Sequence, residues 1–470
     1  MKRLMKIYTI GFSLSILLSS HLLFAQLEKS NSANGPGLAA DSPDRTRALD
    51  SLLHLPASDT LFTSRPIGFR EFLTRVAESN LDYAVQKYNI SIAQAQVTVA
   101  KLYPDPSLSA GLTGDVSDVP ANQRFGDVWN FGASQTILLG GKIGALVGVA
   151  NENVSVAQAQ VEDFFRNLRA TAAQGYINAL IADSTYSANE RNYLNLAELA
   201  RINEHRVAAG DLGKTDFLQS RVDAIQAHGA VLQADAARRQ AFIQLGQLMG
   251  RHNADTLYRP SGNLAFRARS FNLDTLIRRA KETRTDVIAA RRALESARLG
   301  VDLAHAERWP DLTLGVGYTL SELPSSNSPD DVAPFPGQKE LGINLSIPLP
   351  LSNVYNKGTI RVAEFTYGQA KKSLDVAELQ AETDVRQGYA QFQLAEQQFT
   401  QYSTDMLADA EKVREARLYS YKAGSASLLD VLAAENTLVS VYLAYYGAIA
   451  GYANALVVLE QAGDIWDLEF

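Results

Sequence analysis

The 470-residue chain has no cysteine. That excludes disulfides, thiolate metal sites, a cysteine nucleophile and an N-terminal lipid-bearing cysteine. A clustered Lys/Arg stripe is also missing. With a formal charge of −7 and a pI near 5.5, the composition argues against a nucleic-acid partner. The six histidines are scattered, with no i,i+4 pair and no H-E-x-x-H. Neither a phosphate-cradling glycine loop nor a serine elbow occurs. No enzyme site, cofactor or metal site is therefore expected. Proline is missing from two long stretches, Gly144 to Ala209 and Val354 to Ala423. Long apolar runs are scarce, and only the N-terminus and Val441 to Leu459 carry one.

The N-terminal run has the pattern of a secretory signal peptide over residues 1–25. Lys2, Arg3 and Lys6 precede a mostly apolar segment, Ile7 to Phe24, and small Ala25 stands at a cleavage edge before Gln26. The alternative is a single membrane anchor, for which the apolar part is short. Removing the three cations takes the formal charge from −7 to about −10. Residues 26–65 are rich in Ser, Asn, Asp, Pro and Gly and read as a flexible leader.

The remainder contains one large repeat. Leu102-Tyr103-Pro104-Asp105 returns as Arg308-Trp309-Pro310-Asp311. Gln174-Gly175-Tyr176 returns as Gln387-Gly388-Tyr389, and Ala209-Gly210 with Asp216 returns as Ala423-Gly424 with Asp430. Leu218 and Leu432 follow the two aspartates. The offset drifts only from 206 residues (Pro104 to Pro310) to 214 (Gly210 to Gly424). The halves are residues 66–265 and 266–470.

Each half has the same internal order. A short amphipathic helix comes first, Asn80 to Tyr103 or Lys281 to Trp309, and is closed by a proline. Strand-like segments follow. Leu312, Leu314, Val316 and Tyr318 alternate with Asp311, Thr313, Gly315 and Gly317. Leu341, Ile343, Leu345 and Ile347 alternate with Gly342, Asn344 and Ser346. In the first half Leu108, Ala110 and Leu112, then Trp129, Phe131 and Ala133, do the same. A period of two with one apolar face marks a half-buried strand; a small soluble sheet and a membrane strand pair both fit it. The proline-free stretches then predict helices of about 65–70 residues, roughly 100 Å long. After the Gly210 or Gly424 turn a helix returns, to about Met249 or Leu459. Val441 to Leu459 is long enough to span a bilayer. A buried helix is preferred there, because the matching return helix carries Arg238, Arg239 and Gln240.

This order, repeated behind a signal peptide, resembles the TolC family of outer-membrane factors, over about Pro66 to Gly463. Glu307-Arg308-Trp309-Pro310-Asp311-Leu312-Thr313-Leu314-Gly315 is similar to the start of the family's third strand. Leu345-Ser346-Ile347-Pro348-Leu349-Pro350-Leu351 is similar to the end of its fourth. Tyr421-Lys422-Ala423-Gly424 through Leu429-Asp430-Val431-Leu432 is similar to its hairpin tip. In the first half Gln135-Thr136-Ile137-Leu138 lacks the family's proline.

The resemblance implies a mainly α chain with a membrane β-barrel portion. A homotrimer would share a twelve-stranded barrel in outer-membrane lipid and a periplasmic tunnel of long helical hairpins. It implies an exit duct of a tripartite efflux pump in the outer membrane of a Gram-negative bacterium, with a periplasmic adaptor and an inner-membrane transporter as partners. The Ile347-Pro348-Leu349-Pro350-Leu351 run looks most like the CzcC-like branch, ducts of resistance–nodulation–division heavy-metal exporters. Drug efflux or type I secretion through the same kind of duct is the nearest alternative. A soluble periplasmic coiled-coil adaptor is a more distant one, and it would not need two strand pairs.

The resemblance also implies a periplasmic gate at the hairpin-tip turns Gly210 and Gly424. Asp216 and Asp430 would form carboxylate rings in a trimer, favouring cations at a constriction. Tyr421 matches the tyrosine of the family's latch and Asp216 its acidic partner. The family's arginine is replaced by Ala426, with Arg206 or Lys214 as possible substitutes. Read from the residues alone, both aspartates fit helix capping, and Tyr421 fits interhelical packing.

Overall fold

The computed structural model describes residues 63–114, 127–251, 256–262, 269–321, 338–349, 353–402 and 404–467. These all belong to one compact unit, Phe62–Phe470. The expected signal peptide, nearly all of the leader, most of the two inter-strand loops, the Pro350-Leu351 end of the apolar run and the 265/266 boundary lie outside the described residues.

The first half begins with β1 (Thr63–Gly68) and two short helices, α1 (Phe69–Ser79) and α2 (Leu81–Ala100). Asn80 separates the helices. Its Oδ1 accepts from Tyr83 N at 2.9 Å, capping α2, while its Nδ2 donates to Leu248 O at 2.9 Å. Strands β2 (Ser107–Thr113) and β3 (Val128–Ile137) follow. The hairpin is α3 (Lys142–Ala208) and α4 (Lys214–Leu248), and β4 (Thr256–Ser261) closes the half. The second half repeats this with α5 (Leu273–Thr283), α6 (Thr285–Ala306), β5 (Leu312–Ser321), β6 (Lys339–Ser346), α7 (Asn353–Gln401), α8 (Thr404–Lys422) and α9 (Leu428–Gly463).

Three features depart from the sequence reading. The helix expected over Lys281 to Trp309 is two helices broken at Arg284, whose extended ψ of 131° sends its side chain into a buried ion-pair cluster. The helix expected from Val354 to Ala423 is interrupted between Gln401 and Thr404. Tyr402 N turns to Phe399 O at 3.0 Å, one residue short of the α-helical partner. The local sequence Tyr402-Ser403-Thr404 has no strong helix former. β1 and β4 were not foreseen; they pair in parallel, from Thr63 opposite Thr256 to Gly68 opposite Ser261.

The other four strands form one antiparallel sheet in the order β2-β3-β5-β6, with the repeat-related junction in the middle. Register puts the apolar residues in rows. Leu108, Ala133, Val316 and Ile343 line up across it, as do Ala110, Phe131, Tyr318 and Leu341. The opposite face carries Ser109, Gly132, Gly317 and Gly342 in one row and Gly111, Asn130, Thr319 and Glu340 in another. The apolar face is exposed, with Leu108 at 84 % and Ile343 at 78 %. Among the described residues β2 and β6 each pair on one side only.

Small residues let the long helices approach closely. The repeat anchors Gly175 and Gly388 sit where a Cβ would come within 3.2 Å of Leu248 and 3.3 Å of the Leu459 backbone. Tyr176 is fully buried. Its hydroxyl lies 2.8 Å from Ile67 O and 2.6 Å from Ser261 O, and accepts from Ser261 N. It thereby fastens both parallel strands to α3. α9 is long and apolar enough to cross a membrane, yet Ile449, Tyr452, Leu456, Val457 and Leu459 are buried, and Tyr452, Leu456, Val457 and Leu459 belong to the two main cores. Buried Arg166 also donates to Gln461 O on it at 3.0 Å. It is a core helix of the shaft.

Candidate functional site: the hairpin tips

Both tips turn on glycines in the left-handed region, Gly210 at φ +82° and Gly424 at φ +76°, where a side chain would be strained. α8 delivers Tyr421 just before the second turn. Its ring is 3 % exposed and joins Leu196 and Leu199 of α3, Ala224 and Ala227 of α4, and Leu428, Val431 and Leu432 of α9. The Tyr421 hydroxyl donates to Oδ1 of Asn203, across to the other hairpin, at 2.7 Å. Asn203 is fully buried and its Nδ2 has no protein partner. The Arg206 guanidinium stands 5.1 Å from the Tyr421 ring centroid. Burial pushes the Tyr421 phenol up, Arg206 pulls it back, and the nearby Asp216 carboxylate adds to the rise.

The matching aspartates have different surroundings. Asp430 completes a capping box on α9. Its carboxylate accepts from Ser427 N at 3.0 Å and from Ser427 Oγ at 2.7 Å, while its own amide donates to Ser427 Oγ. These bonds hold its pKa below the usual carboxylate range. Asp216 is in the first turn of α4, half-buried, after the N-cap Gly213, where no side-chain cap bond forms.

The structure thus brings Tyr421, Arg206 and Asp216 into one neighbourhood and leaves Asp430 on its own helix end. The tyrosine is bonded to Asn203 rather than to Asp216. Lys214 is exposed at the start of α4. Asn203 was missed in the sequence, although Leu196, Leu199 and Asn203 share helical spacing, so that an amide falls in an apolar stripe. Among the described residues no cluster of three His, Asp or Glu side chains could hold a metal.

The profile of the family "Outer membrane efflux protein" matches residues 73–251 and 276–463. The cobalt-zinc-cadmium resistance protein CzcC of Cupriavidus metallidurans is 23 % identical over 398 residues, covering 84 % of this chain and 90 % of that protein. The protein CyaE of Bordetella pertussis is 24 % identical over 454 residues, covering 92 % of this chain and 88 % of that one. Among solved structures, the CmeC outer membrane channel of Campylobacter jejuni superposes with a TM-score of 0.67 at 17 % identity, covering 92 % of this chain and 90 % of that one. With a sheet of one apolar face carried on paired helical hairpins, and a family match across both halves, the chain belongs to the outer membrane efflux protein family and is built as one of its outer-membrane channels.

Proposed function

We propose that this chain is one subunit of a homotrimeric exit duct in a tripartite efflux pump, working with a periplasmic adaptor and an inner-membrane transporter. The carrying observation is the sheet. Its exposed face is mainly apolar, its other face carries Ser, Gly, Asn, Thr and Glu340, and among the described residues both edges are unpaired. Unpaired edges are not viable in lipid, and four strands cannot close a barrel. Three copies would give twelve strands with a polar lumen. α3, at 67 residues, is about 100 Å long, which suits a shaft through the periplasm of a Gram-negative cell. Residues 1–25 would direct export, 26–65 form a leader whose last three residues enter β1, and 66–265 and 266–470 act as the two repeats.

The tips carry the gate in this reading. Asp216, Tyr421 and Asp430 are its residues, Gly210 and Gly424 its turns. Heavy-metal cations are the proposed cargo, supported by the CzcC relative and by the apolar Ile347-Pro348-Leu349-Pro350-Leu351 run.

Purified protein should run as a trimer and conduct in planar bilayers. Recovery in the soluble periplasm, or no conductance from intact trimers, would overturn the duct. Asp430→Asn should lower cation preference; unchanged selectivity would remove Asp430 from the gate while leaving the duct standing.

A further inference from the structure

Further along the shaft from the tips, the two hairpins together line a largely polar cavity of about 260 Å³. Glu435 lies at its wall, on α9 about two turns beyond the capping box. The residue is 3 % exposed. Asn195 Nδ2 of α3, in the other hairpin, donates to Glu435 Oε2 at 3.3 Å. Arg414 of α8 approaches Glu435 Oε1 at 3.5 Å through Nε, an ion-pair distance at which that nitrogen makes no hydrogen bond. Asn192 Oδ1, also lining the cavity, is buried without a protein partner. The other charged groups facing the space are Arg191 of α3 and Glu411 and Glu415 of α8. Glu411 accepts from the Tyr442 hydroxyl of α9, and Arg191 stands 5.2 Å from the centroid of the Tyr442 ring.

A buried carboxylate that touches both hairpins cannot stay bonded if the hairpins part. We propose that Glu435, bridged to Asn195, is a second gating residue of the channel, holding the hairpins together above the tip latch. This deepens the duct reading and rests on it.

The bridge is sensitive to protons. Burial raises the Glu435 pKa, and this outweighs the opposing pull of Arg414 and of the Asn195 hydrogen bond. Packed hairpins therefore bind the Glu435 proton more tightly than parted hairpins, in which the carboxylate is hydrated. By linkage, lowering the pH stabilises the packed arrangement, and raising it favours separation.

The test is single-channel recording of trimers of the full chain in planar bilayers, from pH 5 to pH 8. Asn195→Ala removes the cross-hairpin bond and should raise the open-to-closed ratio about tenfold, the worth of one hydrogen bond to a charged group. Glu435→Gln keeps the shape and the bond to Asn195 but removes the buried charge. It should lower the open-to-closed ratio at pH 8 and flatten its pH dependence between pH 5 and pH 8. The two variants thus move in opposite directions, which general damage to the fold would not produce. If trimers of both variants gate as wild type does at every pH, or if both move in the same direction, the lock is wrong. If wild-type trimers themselves fail to conduct, the duct reading has failed instead.

Discussion

Tyr421→Phe tests the proposed tip latch. The substitution keeps the ring, so the apolar cluster with Leu196, Leu199, Leu428 and Val431 remains filled and Arg206 keeps its aromatic face. What is lost is the hydroxyl 2.7 Å from Asn203 Oδ1. Asn203 is fully buried and its Nδ2 already lacks a protein partner, so the variant leaves both ends of the amide unpaired. A buried polar group stripped of its partner costs about 1–3 kcal/mol, and the lack of any second bond puts this case in the upper half of that range. At 1.4 kcal/mol per factor of ten, the closed tip should weaken roughly 30- to 140-fold per protomer. Lifetimes of closed states in planar bilayers are the readout, with trimer content measured on the same preparation. Tyr421→Phe trimers whose closed lifetimes match wild type would refute the assignment of the Tyr421–Asn203 bond to the gate and leave Tyr421 as packing alone.

Two further outcomes concern the shaft. Arg284 is 3 % exposed, holds Asp286 through Nε at 3.0 Å and Nη2 at 2.6 Å, and holds Asp384 at 2.9 Å. Arg284→Ala removes these bonds, but Asp286 keeps Val287 N and the Arg166 charge at 3.9 Å and Asp384 keeps Gln380, so the cost should be about 1–3 kcal/mol. Burial would raise the Asp286 pKa, but Arg284 and Arg166 hold it low. That contribution is present at neutral pH and lost in strong acid, so the loss of thermal stability in Arg284→Ala should shrink on acidification; a pH-independent loss would count against the charge account. Glu460 is the opposite case: burial raises its pKa from 4.5 to about 7 despite Arg269 at 3.1 Å. Across that window the folded chain keeps a proton that the unfolded chain releases, so native stability falls as pH rises, by roughly 3 kcal/mol in total. Glu460→Gln should flatten the slope of melting temperature between pH 5 and pH 8, and an unaltered slope would refute the assignment.

Much of the fold was legible because its signals are periodic. Alternation in Leu312 to Tyr318 and Leu341 to Ser346 marked strands whose register aligns Val316 with Ile343 and Tyr318 with Leu341. Two proline-free stretches marked the hairpins. The remainder depends on tertiary contact. Nothing local distinguishes Thr63–Gly68 as a strand: it contains Pro66, and it is completed only by its parallel partner 193 residues away, at the Thr63–Thr256 pair. At the break, Arg284 bonds a neighbour, Asp286, and a distant carboxylate, Asp384, and only the second lies beyond a local reading of the sequence. At the tip, Tyr421 was legible from its motif, whereas its partner was not. An asparagine in an apolar helix stripe is a weak signal until the facing hydroxyl is known.

The repeat carried position further than it carried role. Tyr176 and Tyr389 match in sequence, yet Tyr176 bonds the parallel strand pair while the Tyr389 hydroxyl accepts from Gln393 at 3.3 Å beside the second core. Asn80 and Arg284 separate the corresponding short helices, one by capping and the other by charge. Asp216 and Asp430 diverge in the same way: Asp430 is spent on its own helix end, while Asp216 adds its field to Tyr421. This asymmetry bears on the proposed gate. A duct of identical half-subunits would have to open all its tips by one mechanism. Here two of the contacts between hairpins within a protomer, Tyr421 to Asn203 and Glu435 to Asn195, each join unlike partners from unlike halves. Their side chains differ in chemistry too, a neutral phenol–amide bond at the tip and a titratable carboxylate above it. The contacts proposed for the gate thus fall at positions where the two halves differ in sequence.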